Sequence, residues 1–265
     1  MSPPIIVIGG HRSGTSATAA AVRMLGLQLG HILDSHDEPR PLQRFHEKYL
    51  QGVGAAWHDP APFLAEINTS AGRLKCFRSI FEAASGRFAQ TFDYRRSPVG
   101  LWLLSKIRRG KPWGWKEPRT TLFASVWLEL FPEARVLHIV RHPLHAGLSI
   151  QRRELRFRAA GNTPNGSLHD IQTCVRLALI YAEAGAAAGK HASHYKRVKF
   201  EDLQANPPAV LESIGSFCNL GFTNRELNAA AQTIRARPAG HQDSADETIR
   251  RLISDHPIAA ELGYA

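Results

Sequence analysis

The apolar positions of this chain alternate between two periods. Ile5-Ile6-Val7-Ile8 is an unbroken run rich in β-branched residues, which predicts a short strand buried on both faces of a parallel sheet. Arg135-Val136-Leu137-His138-Ile139-Val140 predicts another strand, Trp113 to Lys116 a shorter one, and Tyr195 to Phe200 a fourth. Between them the period is helical. An alanine-rich helix is predicted from Ala17 to Leu25, closed by the turn Gly26 to Gly30. A second, starting near Pro41, turns Leu42, Phe45, Tyr49 and Val53 inward until Asp59-Pro60-Ala61-Pro62 breaks it. Phe63 to Arg109 is mixed but mostly helical, with Phe77, Ile80, Phe81, Phe88 and Phe92 as core candidates. Thr120 and Thr121 are placed to cap a helix running to about Phe131. Further helices run from Pro143 into Arg156, from about Leu168 to Ala188, from Pro208 to Cys218 and from Asn224 to Ile234. Gly161 to Gly166 has loop composition and reads as mobile, and the tail from Arg237 is polar, then weakly helical.

Strands alternating with helices predict an α/β fold around a central parallel sheet. No internal repeat, low-complexity tract or linker divides the chain, so residues 1–265 read as one domain. Asp34 to Gly110 reads as a helical insertion between the first two strands. It would overhang the carboxyl ends of the strands, where open α/β sheets bind ligands, and form part of an acceptor site.

The first strand runs into Gly9-Gly10-His11-Arg12-Ser13-Gly14-Thr15-Ser16 and then the alanine-rich helix. Such a unit aims backbone N–H groups and the positive end of a helix at an anion, and the glycines let the backbone approach it closely. The pattern GxxxxGK[ST] matches from Gly9 to Ser16 except that Thr15 stands where its lysine belongs. A nucleotide triphosphatase lacking that lysine, and lacking an acidic magnesium ligand after a later strand, is poorly equipped. Arg141, which closes a strand, and Ser149, eight residues on along the next helix, can bring a guanidinium and a hydroxyl to one phosphate.

A formal charge of +10 adds that the partner is anionic, without choosing among nucleic acid, acidic glycan and phosphorylated cofactor. Cys76, Cys174 and Cys218 are odd in number and widely spaced, which points to a reducing compartment. Met1 to Pro4 leaves no room for a signal peptide ahead of the first strand, and no apolar run reaches the length of a membrane span. A cytoplasmic protein is expected. His138, His142 and His145 lack an acidic or cysteine partner at zinc spacing, so no metal is expected.

Arg12-Ser13-Gly14-Thr15-Ser16 resembles the 5′-phosphosulfate loop of the sulfotransferases that use 3′-phosphoadenosine-5′-phosphosulfate (PAPS). Leu137 to Pro143, continued to Ser149, resembles their 3′-phosphate motif. Lys116-Glu117-Pro118-Arg119 resembles the Lys-Asp/Glu-Pro motif of tyrosylprotein and many bacterial members, whose lysine reaches the transferred group. Gly54-Ala55-Ala56-Trp57-His58-Asp59-Pro60 matches a Gly-x-x-Trp-x-Asp-Pro segment of bacterial members. Counting back from it places their glutamate at Glu38, although Asp37 replaces the aromatic residue before it. Val198 to Leu203 resembles the Tyr-Glu-Asp-Leu segment and reads as structural.

The resemblance implies a three-layer α/β/α fold related to the P-loop kinases, and sulfuryl transfer from PAPS to an acceptor hydroxyl, releasing 3′-phosphoadenosine-5′-phosphate (PAP). It implies that Gly10, His11, Arg12, Ser13, Gly14, Thr15, Ser16, Arg141 and Ser149 hold the donor. Lys116 and Arg12 would stabilise developing charge, with Glu38 as general base and His36 as the runner-up among Asp34, His36, Asp37, Glu38, His46 and Glu47. Glu117 reads as the partner of a basic neighbour. The acceptor implied is a carbohydrate, a lipid-linked sugar or a small molecule. Two other readings stand beside this one: a P-loop kinase, and a non-catalytic basic module that binds nucleic acid or acidic glycan. The second lacks an aromatic-interleaved basic stripe and leaves both phosphate motifs unexplained. Arg152, Arg153, Arg156 and Arg158 form a basic run that could guide an acidic acceptor or the donor, or simply face solvent.

Overall fold

The computed structural model describes residues 3–30, 32–85, 111–235 and 246–265. Within them, β1 (Ile5–Ile8), β2 (Gly114–Lys116), β3 (Arg135–Val140) and β4 (His194–Lys199) form one parallel sheet in the order β2-β1-β3-β4. Ile5 pairs with Gly114 on one side and Arg135 on the other, which makes β1 a central strand. All four strands therefore end at the same edge, and the segments leaving them are neighbours there.

Alternation along the strands sorts the core into two faces. Ile5, Val7, Leu137 and Ile139 pack with α1 (Thr15–Met24), α9 (Pro207–Phe217) and α10 (Asn224–Thr233). Ile6, Ile8, Trp115 and Val136 pack with α2 (Arg40–Gly52), α5 (Thr120–Leu130) and α7 (Ile171–Gly189). A smaller cluster joins α6 (Pro143–Ala159) and α7 to α11 (Glu247–Ser254) and α12 (Pro257–Glu261). The three-layer α/β/α arrangement matches the expectation, and the short helix α8 (Phe200–Ala205) follows β4. Among the described residues no helix is long and apolar enough to cross a membrane.

Several local expectations need correction. The first helix begins at Thr15 rather than Ala17, because Gly14, at φ 100°, supplies the left-handed residue that starts it. The mostly helical stretch expected from Phe63 begins earlier, at Ala61, and its described part holds two helices, α3 (Ala61–Ile67) and α4 (Ser70–Ser85). On α4, Ile80 is buried and Phe77 packs against the core, but Phe81 is 49% exposed. One residue beyond Ile80 is about 100° around the helix, which takes Phe81 off the buried face and onto the ring of Phe77. Phe88 and Phe92 lie outside the described residues. Thr120 and Thr121 do not cap α5: its N-cap is Arg119, and Thr121 bonds elsewhere. The 161–166 segment is a loop, as its composition predicts, and it is tethered. The Glu154 carboxylate accepts from the Asn165 amide and side chain, and Arg158 donates to the Gly166 carbonyl.

Candidate functional site

The segment after β1 is fixed by backbone geometry before any ligand is considered. Gly9 has φ 146°, Arg12 φ 68° and Gly14 φ 100°. A Cβ on Gly14 would collide with the Phe200 ring and one on Gly9 with the Ile139 carbonyl, so neither position admits a side chain. Arg12 has a side chain and tolerates the left-handed region at a cost of roughly 1–2 kcal/mol. Thr121 Oγ1 accepts from the Gly9 amide at 2.8 Å and donates to its carbonyl at 3.1 Å, while Ser13 Oγ donates to the Gly10 carbonyl at 2.7 Å. The first bond of α1 runs from Thr18 N to Gly14 O, so the amides of Thr15, Ser16 and Ala17 precede the helical ladder, and no side chain caps them. The positive end of α1 and these amides meet at one place. Such a cradle suits an anion.

Two further elements reach this cradle. Arg141, leaving β3, donates to the Arg12 carbonyl at 3.1 Å and lies over the Phe200 ring, 5.5 Å from its centroid. Ser149 on α6 accepts from Arg12 Nε at 2.9 Å. Arg12 therefore links the cradle to both members of the second motif. A cavity of about 330 Å³ opens over the loop, bordered by Arg12, Thr15, Glu38, Trp57, Arg141 and Arg153 among others.

Glu38 enters from the opposite wall. Asp34 holds a tight turn by accepting from the amides of His36 at 2.8 Å and Glu38 at 2.9 Å and from Gln43 Nε2 at 2.9 Å. Burial opposes ionisation of Asp34, yet these bonds hold its carboxyl below the usual range. The turn aims Glu38 at Lys116, which is fully buried at the end of β2. Lys116 Nζ donates to Glu38 Oε1 at 2.6 Å and to Ser16 Oγ at 3.1 Å, and Gln43 Nε2 donates to Glu38 Oε2 at 2.6 Å. A buried ammonium without such partners would be prohibitively costly. Burial raises the Glu38 carboxyl above its ordinary value, and Lys116 pulls it partly back.

Behind this pair lies a second buried network. Trp127 Nε1 donates to His46 Nε2 at 3.2 Å, which leaves the ring proton on Nδ1, 2.6 Å from Glu117 Oε2. Arg119 donates to the other Glu117 oxygen at 2.8 Å. Burial alone would raise the Glu117 carboxyl, but His46 and Arg119 hold it at about 2. His11, packed 4.4 Å from the Trp57 ring centroid, is lowered well below the ordinary imidazole value by burial first and then by Arg119, so it is neutral at pH 7.

Glu117 contributes to the stability of the chain toward acid. Its folded value lies below its unfolded one, so its contribution is fully present above about pH 4.5 and is lost as pH falls toward 2. Thermal melts between pH 5 and 2 should show a steep fall for the wild type. Glu117→Gln should melt lower than wild type at pH 7 but fall less over that window. Parallel curves for the two proteins would contradict the assignment.

The sulfotransferase family model matches residues 3–224, more than half of the chain. This chain belongs to the sulfotransferase family. No curated protein sequence matches it significantly. Among solved structures it is similar to the sulfotransferase domain of the Synechococcus PCC 7002 olefin synthase, at 17% identity and a TM-score of 0.52, covering 99% of this chain and 95% of that one. The sulfotransferase domain from the curacin biosynthetic pathway gives 14% identity and 0.55, covering 100% and 99%. Mouse sulfotransferase SULT7A1, solved as a complex with PAP, gives 10% and 0.53, covering 99% and 87%. At these identities the likeness is one of fold.

In this sulfotransferase the anticipated residues are distributed unevenly. Arg12, Thr15, Ser16, Glu38 and Arg141 border one cavity, and Lys116 is bonded beneath it. Ser149 borders a neighbouring cavity, together with Arg12. His36 sits exposed at the rim, bonded to Ser35, whereas Glu38 is 9% exposed. Glu47 is exposed on α2, and His46 belongs to the Glu117 network. Asp37 occupies φ 62° and pairs with Arg23. The left-handed backbone suits an aspartate far better than an aromatic residue, which gives its presence there a physical reason. Glu201, read as structural, accepts from the His142 amide and the Tyr264 hydroxyl, both at 2.9 Å. Trp57 and Arg153 each stand out in the sequence, but their pairing, with Arg153 5.7 Å from the ring centroid, has no signal there, since the two residues are far apart in the chain.

Proposed function

We propose that this sulfotransferase takes its sulfuryl group from PAPS and passes it to an acceptor hydroxyl on a carbohydrate, lipid-linked sugar or small molecule by in-line displacement, without a metal. The observation that carries this reading is the junction of two anion-binding elements through Arg12, whose carbonyl meets Arg141 and whose Nε meets Ser149. A donor with a phosphosulfate at one end and a 3′-phosphate at the other needs two such elements. The uncapped amides of Thr15, Ser16 and Ala17, with Arg12, suit the phosphosulfate, and Arg141 and Ser149 suit the 3′-phosphate. When bound, PAPS supplies a sulfuryl group activated by a phosphate leaving group.

The chain's own groups account for the rest. Glu38, raised by burial, takes the proton of the acceptor hydroxyl, with Gln43 fixing the carboxylate plane. Lys116, held between Glu38 and Ser16, places a positive charge under the cradle where negative charge grows on the transferred and leaving oxygens. Arg119 and His11 contribute walls rather than proton transfer in this scheme. The kinase reading lacks the lysine its loop requires at position 15, where Thr15 stands.

Binding calorimetry tests the donor assignment. PAP should bind in metal-free buffer and AMP far more weakly, because only PAP carries the phosphate for Arg141 and Ser149. Arg141→Ala should lose about 1.5–3 kcal/mol for PAP, roughly tenfold or more, and little for AMP. A variant that keeps the wild-type preference for PAP over AMP would overturn the reading.

A further inference from the structure

Beside the cavity over the cradle lies a second, of about 430 Å³, bordered by Arg12, His36, Ser149, Arg152, Arg153 and Arg156. Positions 149, 152, 153 and 156 fall on one face of α6, at spacings of three and four residues. Three arginines thus project from one helical patch, and none of the described residues bordering the cavity is acidic. Among the described residues, no carboxylate forms an ion pair with Arg152, Arg153 or Arg156. Arg158, next along the helix, differs: Glu154 neutralises it at 2.8 Å. The crowding reaches Arg12, whose guanidinium is lowered by burial and then by Arg153, Arg152 and Arg156 in turn. Like charges at these spacings oppose the helix, and an anion between them would relieve that opposition.

The donor accounts for two residues on the border of this cavity, Arg12 and Ser149, and not for the other arginines. In the reading above, the phosphosulfate falls to the cradle and Arg12, and the 3′-phosphate to Arg141 and Ser149. Arg152, Arg153 and Arg156 remain over. Arg153 also borders the cavity that contains Glu38, where it covers Trp57. It therefore stands at the seam between the base and the arginine patch.

We propose that the acceptor is itself an anion: a hydroxylated molecule bearing a phosphate, sulfate or carboxylate group, whose hydroxyl meets Glu38 while its oxyanion is held by Arg153 and Arg156. This rests on the PAPS reading. Arginine suits the task, because its planar fork binds oxyanions bidentately and Trp57 holds the Arg153 plane in place.

The test uses the full chain saturated with PAP and pairs of probes that differ only in charge: glucose against glucose 6-phosphate, glucose 6-sulfate and glucuronate. At least one oxyanion probe should bind the PAP-saturated protein tenfold or more tightly than glucose, and the preferred probe would identify the group. Arg153→Gln/Arg156→Gln should lose that advantage while keeping the preference for PAP over AMP. Both arginines are exposed, so folding should survive, and PAP binding verifies it. Equal binding of charged and neutral probes would overturn the inference and leave the donor reading intact. Loss of the PAP preference in the double variant, with no change in probe binding, would overturn it by assigning these arginines to the donor. Failure of PAP to bind wild-type protein would instead overturn the donor reading, and this inference with it.

Discussion

Replacing Lys116 by methionine is expected to slow turnover about 10²–10³-fold, or roughly 3–4 kcal/mol of transition-state stabilisation, with PAP affinity nearly unchanged. Methionine retains most of the buried stem and deletes only the charge, which lies 3.1 Å from Ser16 Oγ and 2.6 Å from Glu38. The same change should move the acid limb of the pH–rate profile upward. Lys116 holds the Glu38 carboxyl down against burial, so removing the ammonium favours the protonated, inactive form at a given pH. The upward shift distinguishes loss of the charge from general disruption of the site. A variant that loses PAP binding but keeps turnover at saturating donor would contradict this role for Lys116.

Glu38→Gln should have the larger effect, slowing the chemical step about 10²–10⁴-fold. The amide preserves shape and can still bond Gln43, but it cannot take a proton. PAP binding should persist, because the cradle and Arg141 are untouched. His36→Ala should be milder, as His36 lies exposed at the rim and Glu38 is buried against Lys116. Steady-state turnover of the three proteins at saturating donor decides the order. If His36→Ala were the slower variant, the proton would leave by way of the rim instead.

Much of this architecture was legible in the chain because it is written locally. The apolar runs at Ile5–Ile8 and Arg135–Val140 are strands, and the glycine spacing after β1 predicts the cradle that the backbone forms. What was not legible depends on long-range contacts. Thr121 is sequence-adjacent to a helix start, yet it bonds Gly9, 112 residues away, because the end of β2 lies beside β1. His46 sits in a polar stretch with other acid–base candidates, and only the packing of α2 on α5 brings it to Glu117 and Trp127. Position 37 depends on a backbone angle that no periodicity encodes. The arginines after Ser149 looked uniform in sequence, and Glu154 separates Arg158 from the rest.

The central claim is that the cradle, Lys116 and Glu38 together move a sulfuryl group from PAPS. Incubating the wild-type chain and Glu38→Gln with sulfur-35-labelled PAPS in metal-free buffer, alongside phosphorus-32-labelled ATP with magnesium, tests it directly across a panel of hydroxylated acceptors. The wild type should incorporate sulfur-35 into an acceptor, Glu38→Gln at least a hundredfold less, and neither should transfer phosphorus-32. Phosphorus-32 transfer without sulfur-35 incorporation would contradict it.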